Sequence, residues 1–142
     1  MGVGNIDSAL QPPEIILEPN EQYADGLRCF QGIPGIERAP GGRLWATWYG
    51  GGTGEGPENY VMLSSSGDSG RTWSDLKLVI ECPGQVRAFD PCLWLDPLER
   101  LWLFWAQGWT LWDGRAGVWA ICAENPAAAD VTCRLPGACA TV

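Results

Sequence analysis

With 142 residues, 46% of them hydrophobic, the chain is long enough and apolar enough to bury the core of one ordinary domain instead of remaining disordered. Seventeen acidic residues against nine basic ones give a net charge of −8, with no basic cluster or stripe, so nucleic acid is not an expected partner. Met1 to Asn20 has no basic stretch followed by an apolar one, and no window holds the roughly eighteen uncharged apolar residues of a membrane span. The expectation is a cytoplasmic protein with no membrane partner.

Nineteen glycines and eleven prolines predict many short strands joined by tight turns, an all-β chain. Nine tryptophans fit that reading, since sheet faces supply apolar layers for large rings, although a carbohydrate-binding surface would use exposed tryptophans equally well. The six cysteines (Cys29, Cys82, Cys92, Cys122, Cys133, Cys139) form no CxxC pair, and most of them read as small buried hydrophobes in a reducing cytoplasm. Histidine is absent, so neither a metal site nor a cofactor is expected.

In chain order, residues 1–27 carry Pro12, Pro13 and Pro19 and read as an irregular lead-in with one short strand near Glu14 to Leu17. Beyond it the sequence repeats itself at a spacing of fifty-seven. Pro34 falls on Pro91, Pro40 on Pro97, Arg43 on Arg100, Leu44 on Leu101, Trp45 on Trp102 and Trp48 on Trp105. Each copy has an apolar stretch (Ile33 to Ile36; Cys92 to Leu95), a turn, and an aromatic strand (Leu44 to Tyr49; Leu101 to Ala106), the pattern of a β-hairpin. A third strand follows in each (Tyr60 to Ser64; Val118 to Ala123), and the first copy adds a fourth around Leu76 to Ile80. Four antiparallel strands in roughly fifty residues is the size of one β-propeller blade. A β-sandwich would explain the strands but not the repeat. The expected organisation is a first blade over 28–84 and a second, degenerate and truncated, over 85–142, which leaves the propeller incomplete.

Between the third and fourth strands of the first copy stands Ser66-Gly67-Asp68-Ser69-Gly70-Arg71-Thr72-Trp73, the Asp-box pattern S-x-D-x-G-x-T-W. A short hydroxyl and a carboxylate can bond the amides of a tight loop, Gly70 permits a positive φ, and Trp73 is expected to anchor the loop in the blade. Ser66, Asp68, Gly70, Thr72 and Trp73 are therefore read as structural.

With Phe30-Gln31-Gly32-Ile33-Pro34 ahead of it, the Leu44 to Gly52 strand and glycine run, and Asp90-Pro91 behind it, this segment resembles the sialidase superfamily over roughly residues 28–126. The resemblance implies a propeller that acts as an exo-glycoside hydrolase on terminal sugars of glycans, with three arginines on the substrate carboxylate, an aspartate as acid and a tyrosine–glutamate pair as nucleophile. This chain departs from that set. Gly32 and Trp48 stand where two of the arginines belong and Gly54 where the aspartate belongs, while the remaining groups would lie in blades that this sequence does not contain. The usual bidentate clamp on an anionic sugar is missing, and a neutral or differently charged glycan stays compatible.

The repeat also sorts residues. Those kept at the fifty-seven spacing, such as Arg43 and Arg100, serve the fold, whereas polar residues present in one copy are free to serve a site. That filter, with the nearest carboxylate to Gly54, gives Glu55 and Asp90 as candidate catalytic groups and Glu58, Arg87 and Glu37 as candidate substrate contacts, with plain solvated loop charges as the alternative for Glu55 and Glu58. Glu55 as general acid requires a pKa raised toward neutrality. Trp109 and Trp112 are candidates for sugar stacking, with ordinary packing as the alternative. After Val118 the register fails: Ser66, Asp68, Gly70 and Trp73 correspond to Ala123, Asn125, Ala127 and Asp130, and Pro136 and Gly137 argue against a central fourth strand. A premature end or a reading-frame disruption is the expectation for this tail. Two functions stay open, a hydrolase active only as a complete propeller and a non-catalytic glycan-binding module or remnant. Open edge strands on an unclosed pair of blades further predict self-association.

Overall fold

The computed structural model describes residues 7–109, 114–130 and 133–134. The chain is all-β, built from two antiparallel sheets. The first has five strands, in the order β1 (Glu14–Ile16), β5 (Leu78–Glu81), β4 (Tyr60–Ser66), β3 (Leu44–Gly50), β2 (Gln31–Arg38). The second has four, β6 (Arg87–Leu95), β7 (Leu101–Gly108), β8 (Ala116–Ala123) and β9 (Cys133–Arg134). Among the described residues no helix is long and apolar enough to cross a membrane.

Two expectations need correction. The first sheet is not four-stranded, because Glu14–Ile16 leaves the lead-in to pair with Glu81–Val79 at its outer edge. The second sheet does have a strand in the fourth position, where Cys133 and Arg134 pair with Ala123 and Cys122; Pro136 and Gly137 lie outside the described residues. A third correction concerns the cysteines: Cys82 and Cys122 are buried thiols, but Cys29 and Cys92 are exposed. Cys139 lies outside the described residues.

The repeat is geometric as well as sequential. The β2–β3 ladder slips between Gly32 and Gly35, and the β6–β7 ladder slips between Phe89 and Cys92, the same place fifty-seven residues on. Each slip holds a residue before proline in the left-handed region, Ile33 at φ 49° and Asp90 at φ 47°. Branched Ile33 pays a steric cost there, so the bulge is imposed by the sheet and not by local preference. Both hairpins also close alike, Ala39 N–H to Arg43 carbonyl at 2.8 Å and Asp96 N–H to Arg100 carbonyl at 2.9 Å.

The sheets stack through opposite faces. In the first sheet Trp45 and Leu63 point at the second, where Leu93, Leu101, Leu103 and Ile121 receive them around a cavity of only 20 Å³. The equivalents of those four in the first sheet are Ile36, Leu44, Ala46 and Ser64, which lie on its other face. The contact is thus heterologous, front of one unit against back of the next, and not the two-fold contact of like faces. Across the seam Trp45 Nε1 donates to the Pro126 carbonyl at 2.8 Å and Arg43 Nε to the Ala127 carbonyl at 3.1 Å.

The Asp-box closes the β4–β5 connection. Ser66 Oγ donates to Asp68 at 2.8 Å and accepts from Gly70 N–H at 2.9 Å, while Asp68 accepts the Thr72 N–H at 2.9 Å and the Thr72 hydroxyl at 2.6 Å. Gly70 takes φ 83°, as a tight loop demands. Trp73, however, does not anchor into the sheet but stands 43% exposed over a surface groove. Hydrogen bonds from Thr72 and Ser66 pull the Asp68 carboxyl down to about 2.

Leu103, 3% exposed at the seam, should cost about 2–5 kcal/mol of stability as Leu103→Ala, measured by denaturant unfolding. The lowered Asp68 pKa makes its contribution present above the ordinary aspartate value of 3.8 and lost as the pH falls through about 2. Asp68→Asn should therefore lower the unfolding midpoint at neutral pH and flatten the acid limb of the stability profile; superimposable profiles for the two proteins would contradict that role.

Candidate functional site

Strand register sorts the loops to two ends. Gln31, Gly50 and Tyr60 are neighbours at one end of the first sheet, as are Arg87, Gly108 and Ala116 in the second. The Asp-box and the two hairpins lie at the other end, where Arg38, Leu44 and Ser66 meet. The candidate site occupies the first end, at the seam between the sheets.

Its scaffold is the loop over residues 51–59. Asn59 is 2% exposed, and its amide bonds the Gly51 and Gly54 carbonyls at 3.0 and 2.9 Å while its Oδ1 takes the Gly56 N–H at 2.9 Å. The Asn59 carbonyl accepts from Ala88 N–H at 3.3 Å, which ties the loop to β6. Gly51 begins the turn at φ 109°, where a Cβ would stand 2.4 Å from the Glu58 carbonyl oxygen, so no other residue fits.

This frame sets Glu55 over the seam. Its carboxylate accepts from Arg87 Nη2 at 2.8 Å and from the Tyr49 hydroxyl at 2.9 Å. Arg87, at the start of β6, is 1% exposed, and its guanidinium lies 4.2 Å from the Phe89 ring centre and 5.5 Å from that of Tyr49. Among the described residues Arg87 Nε is the buried side-chain polar atom left without a partner. The Arg87 hydrogen bond holds the Glu55 carboxyl below the usual range, against partial desolvation, and the Tyr49 hydroxyl helps. Burial first, then the Glu55 anion and nearby Asp90, push the Tyr49 hydroxyl up to about 12.

The chemistry follows from those states. Glu55, about a third exposed at 35%, is an ionised acceptor facing solvent, whereas a general acid needs its proton at neutral pH. The expectation of a raised Glu55 pKa is thus reversed, and the cause is Arg87. Arg87 itself is sunk beneath the carboxylate and balances its charge instead of reaching out to a ligand. Asp90 stands exposed at the bulge beside this group, and Glu58 is exposed on the same loop.

The remaining candidates separate from it. Glu37 sits toward the opposite end, where it accepts from Leu95 N–H across the seam at 3.3 Å and from Arg38 N–H at 2.8 Å. Trp48 faces the other side of the first sheet, bonded to Gln31 at 2.7 Å with Arg28 6.0 Å from its ring centre. Trp109 is packed, its Nε1 donating to Asp7 at 2.6 Å, and Trp112 lies outside the described residues. Tyr49 and Asn59 were missed as site residues, yet the repeat marks them, because their counterparts are Ala106 and Ala116. Among the described residues no group of three or more Cys, Asp or Glu side chains is placed to hold a metal ion.

The chain matches no protein-family model and no curated protein sequence. The geometry therefore carries the functional argument.

Glu55→Gln should lower the Tyr49 pKa from about 12 without bringing it to the ordinary 10.0, because burial, the larger cause, remains. Ultraviolet difference titration of the tyrosines reads this directly, and an unmoved titration curve would mean that Glu55 does not touch Tyr49 in solution.

Proposed function

We propose that the chain forms two neighbouring blades of a sialidase-like β-propeller and lends one wall to the glycan site of an exo-glycoside hydrolase, active on terminal sugars when the propeller is complete. Front-to-back stacking of the sheets favours this architecture over a sandwich, since a further sheet can add at either side in the same way. The functional reading rests on one observation, the Glu55–Arg87–Tyr49 cluster at the seam, at the end remote from the Asp-box.

A preorganised carboxylate with its charge balanced from below is a strong acceptor for sugar hydroxyls. Glu58 and Asp90 add exposed carboxylates around it. Three carboxylates outweigh the one buried arginine, which is already paired with Glu55, and the surplus negative charge repels an anionic sugar, in keeping with Gly32, Trp48 and Gly54 at the positions where the resemblance implies sialic-acid contacts and the acid. The substrate class is accordingly a neutral terminal sugar. In the hydrolase reading Glu55 orients the sugar, and Asp90 is the carboxyl group placed beside it to take part in bond cleavage.

The ionised state of Glu55 favours a second reading, glycan binding without cleavage. A glycan array paired with release assays on fluorogenic glycosides separates the two. The chain should hold neutral terminal sugars at about millimolar Kd, near −4 kcal/mol, with no preference for sialylated glycans, and Glu55→Gln should weaken this roughly tenfold. Sugar release that is lost in Asp90→Asn decides for the hydrolase. An array on which nothing binds, or only sialylated glycans bind, would overturn the proposal.

A further inference from the structure

Among the described residues, one face of the second sheet is apolar and uncovered. Trp94 is 48% and Val118 47% exposed, Cys92 is exposed, and Trp102 stacks on Phe104 at 6.0 Å beside Ala120 with neither ring fully covered. The first sheet has a groove of about 570 Å³ on its own outer face, between Ala46, Trp48 and Ser64 on the strands and Tyr23, Trp73 and Leu76 around them.

The repeat relates these two surfaces to a contact already formed. Trp45, Glu37 and Leu63, which press on the second sheet, become Trp102, Trp94 and Ala120 of the free face when shifted by fifty-seven. Leu93, Leu103 and Ile121, which receive them, become Ile36, Ala46 and Ser64 of the groove face. The free face and the groove are thus the two halves of the seam in a second version, carried at opposite ends of one chain.

We infer that the free face of the second sheet binds the groove face of the first sheet of a second copy of this chain, head to tail. The seam supplies the contacts to expect. Arg43 and Trp45 reach the Ala127 and Pro126 carbonyls, so their counterparts Arg100 and Trp102, whose Nε and Nε1 donate to Asp96 in the single chain, lie beside the second copy's Gly70 and Ser69, in its Asp-box loop. Glu37 meets Leu95, so Trp94 lies beside the second copy's Arg38, an exposed guanidinium suited to its ring.

The segment over the groove face does not block this. Tyr23 sits over Tyr60 and in one cluster with Met62, whose equivalents are Gly117 and Trp119. Those two are covered in the same way by Ala9 and Leu10, and the sheets still stack. A heterologous contact closes into a ring when its rotation divides a full turn, as the rotation between propeller blades does, and otherwise builds an open filament. At two sheets per chain, rings of about four to eight blades take two, three or four copies.

Sedimentation velocity tests the inference without reference to any sugar, so failure to bind glycans leaves it standing. The wild-type chain should run as a closed species at a whole multiple of 15.4 kDa, between two and four copies. Trp94→Asp and Ala46→Arg, each spoiling one half of the contact, should run as monomers, and an equimolar mixture should form a dimer because each retains the half the other lacks. A wild-type monomer at the highest soluble concentration, or folded variants that stay monomeric when mixed, would overturn it. Should Ala46→Arg not fold, a photo-crosslinking residue at position 94 of the otherwise unaltered chain gives the answer. Cross-links to residues 36–48 of another copy support the contact, and cross-links confined to the free face, or none, refute it.

Discussion

Everything else in the molecule hangs on the seam at which the front of the first sheet meets the back of the second. Trp45, Leu63, Leu103 and Ile121 fill it almost without void. Burial of such side chains is worth about 1.5–3 kcal/mol each, and neither sheet could hide its apolar layer alone. Because unlike faces meet, the contact fixes a direction along the stack: one sheet keeps an open back and the other an open front. It also brings the start of β6 beside the end of β3, which is how Arg87 comes to lie under Glu55.

The two ends of the seam have been given different work. At one end the repeated hairpins and the Asp-box spend their polar groups on the backbone, with Ser66, Asp68 and Asp96 bonded to nearby amides and hydroxyls. At the other end the repeat breaks down chemically while holding geometrically. The bulge persists, but Ile33 becomes Asp90, Phe30 becomes Arg87 and Tyr49 becomes Ala106. Polar residues at a structurally conserved frame are what a site needs, since the frame holds them without their having to hold it.

Much of the fold was legible in the sequence because it is local and repeated. The strands around Trp45, Trp102, Tyr60 and Val118, and the turn at Ser66 to Trp73, fall where alternation, proline and glycine put them. The pairing of Glu14–Ile16 with β5 was not legible, since a three-residue strand has no period and its partner is far along the chain. Nor was the position of Trp73, whose exposure depends on what covers the first sheet from outside. The candidate cluster was half legible. Asymmetry between the copies singled out Arg87 and Asp90, and the glycine run pointed to Glu55, which the structure brings to one end of the seam, but Tyr49 was absorbed into the strand pattern and Asn59 into the loop. The same filter wrongly grouped Glu37 with the site, because a carboxylate that caps Leu95 across the seam is as asymmetric as one that meets a ligand. The charge state of Glu55 depends on a partner thirty-two positions away, which no local reading supplies.

The direction of stacking can be measured in solution from methyl–methyl nuclear Overhauser effects. Front-to-back packing predicts cross-peaks from Leu63 to Leu93, Leu103 and Ile121, with none from Met62, on the opposite face of the first sheet, to any of the three. Cross-peaks from Met62 to Leu103 or Ile121, without those from Leu63, would place the sheets the other way round and contradict the seam on which the site, the repeat and the inferred assembly all depend.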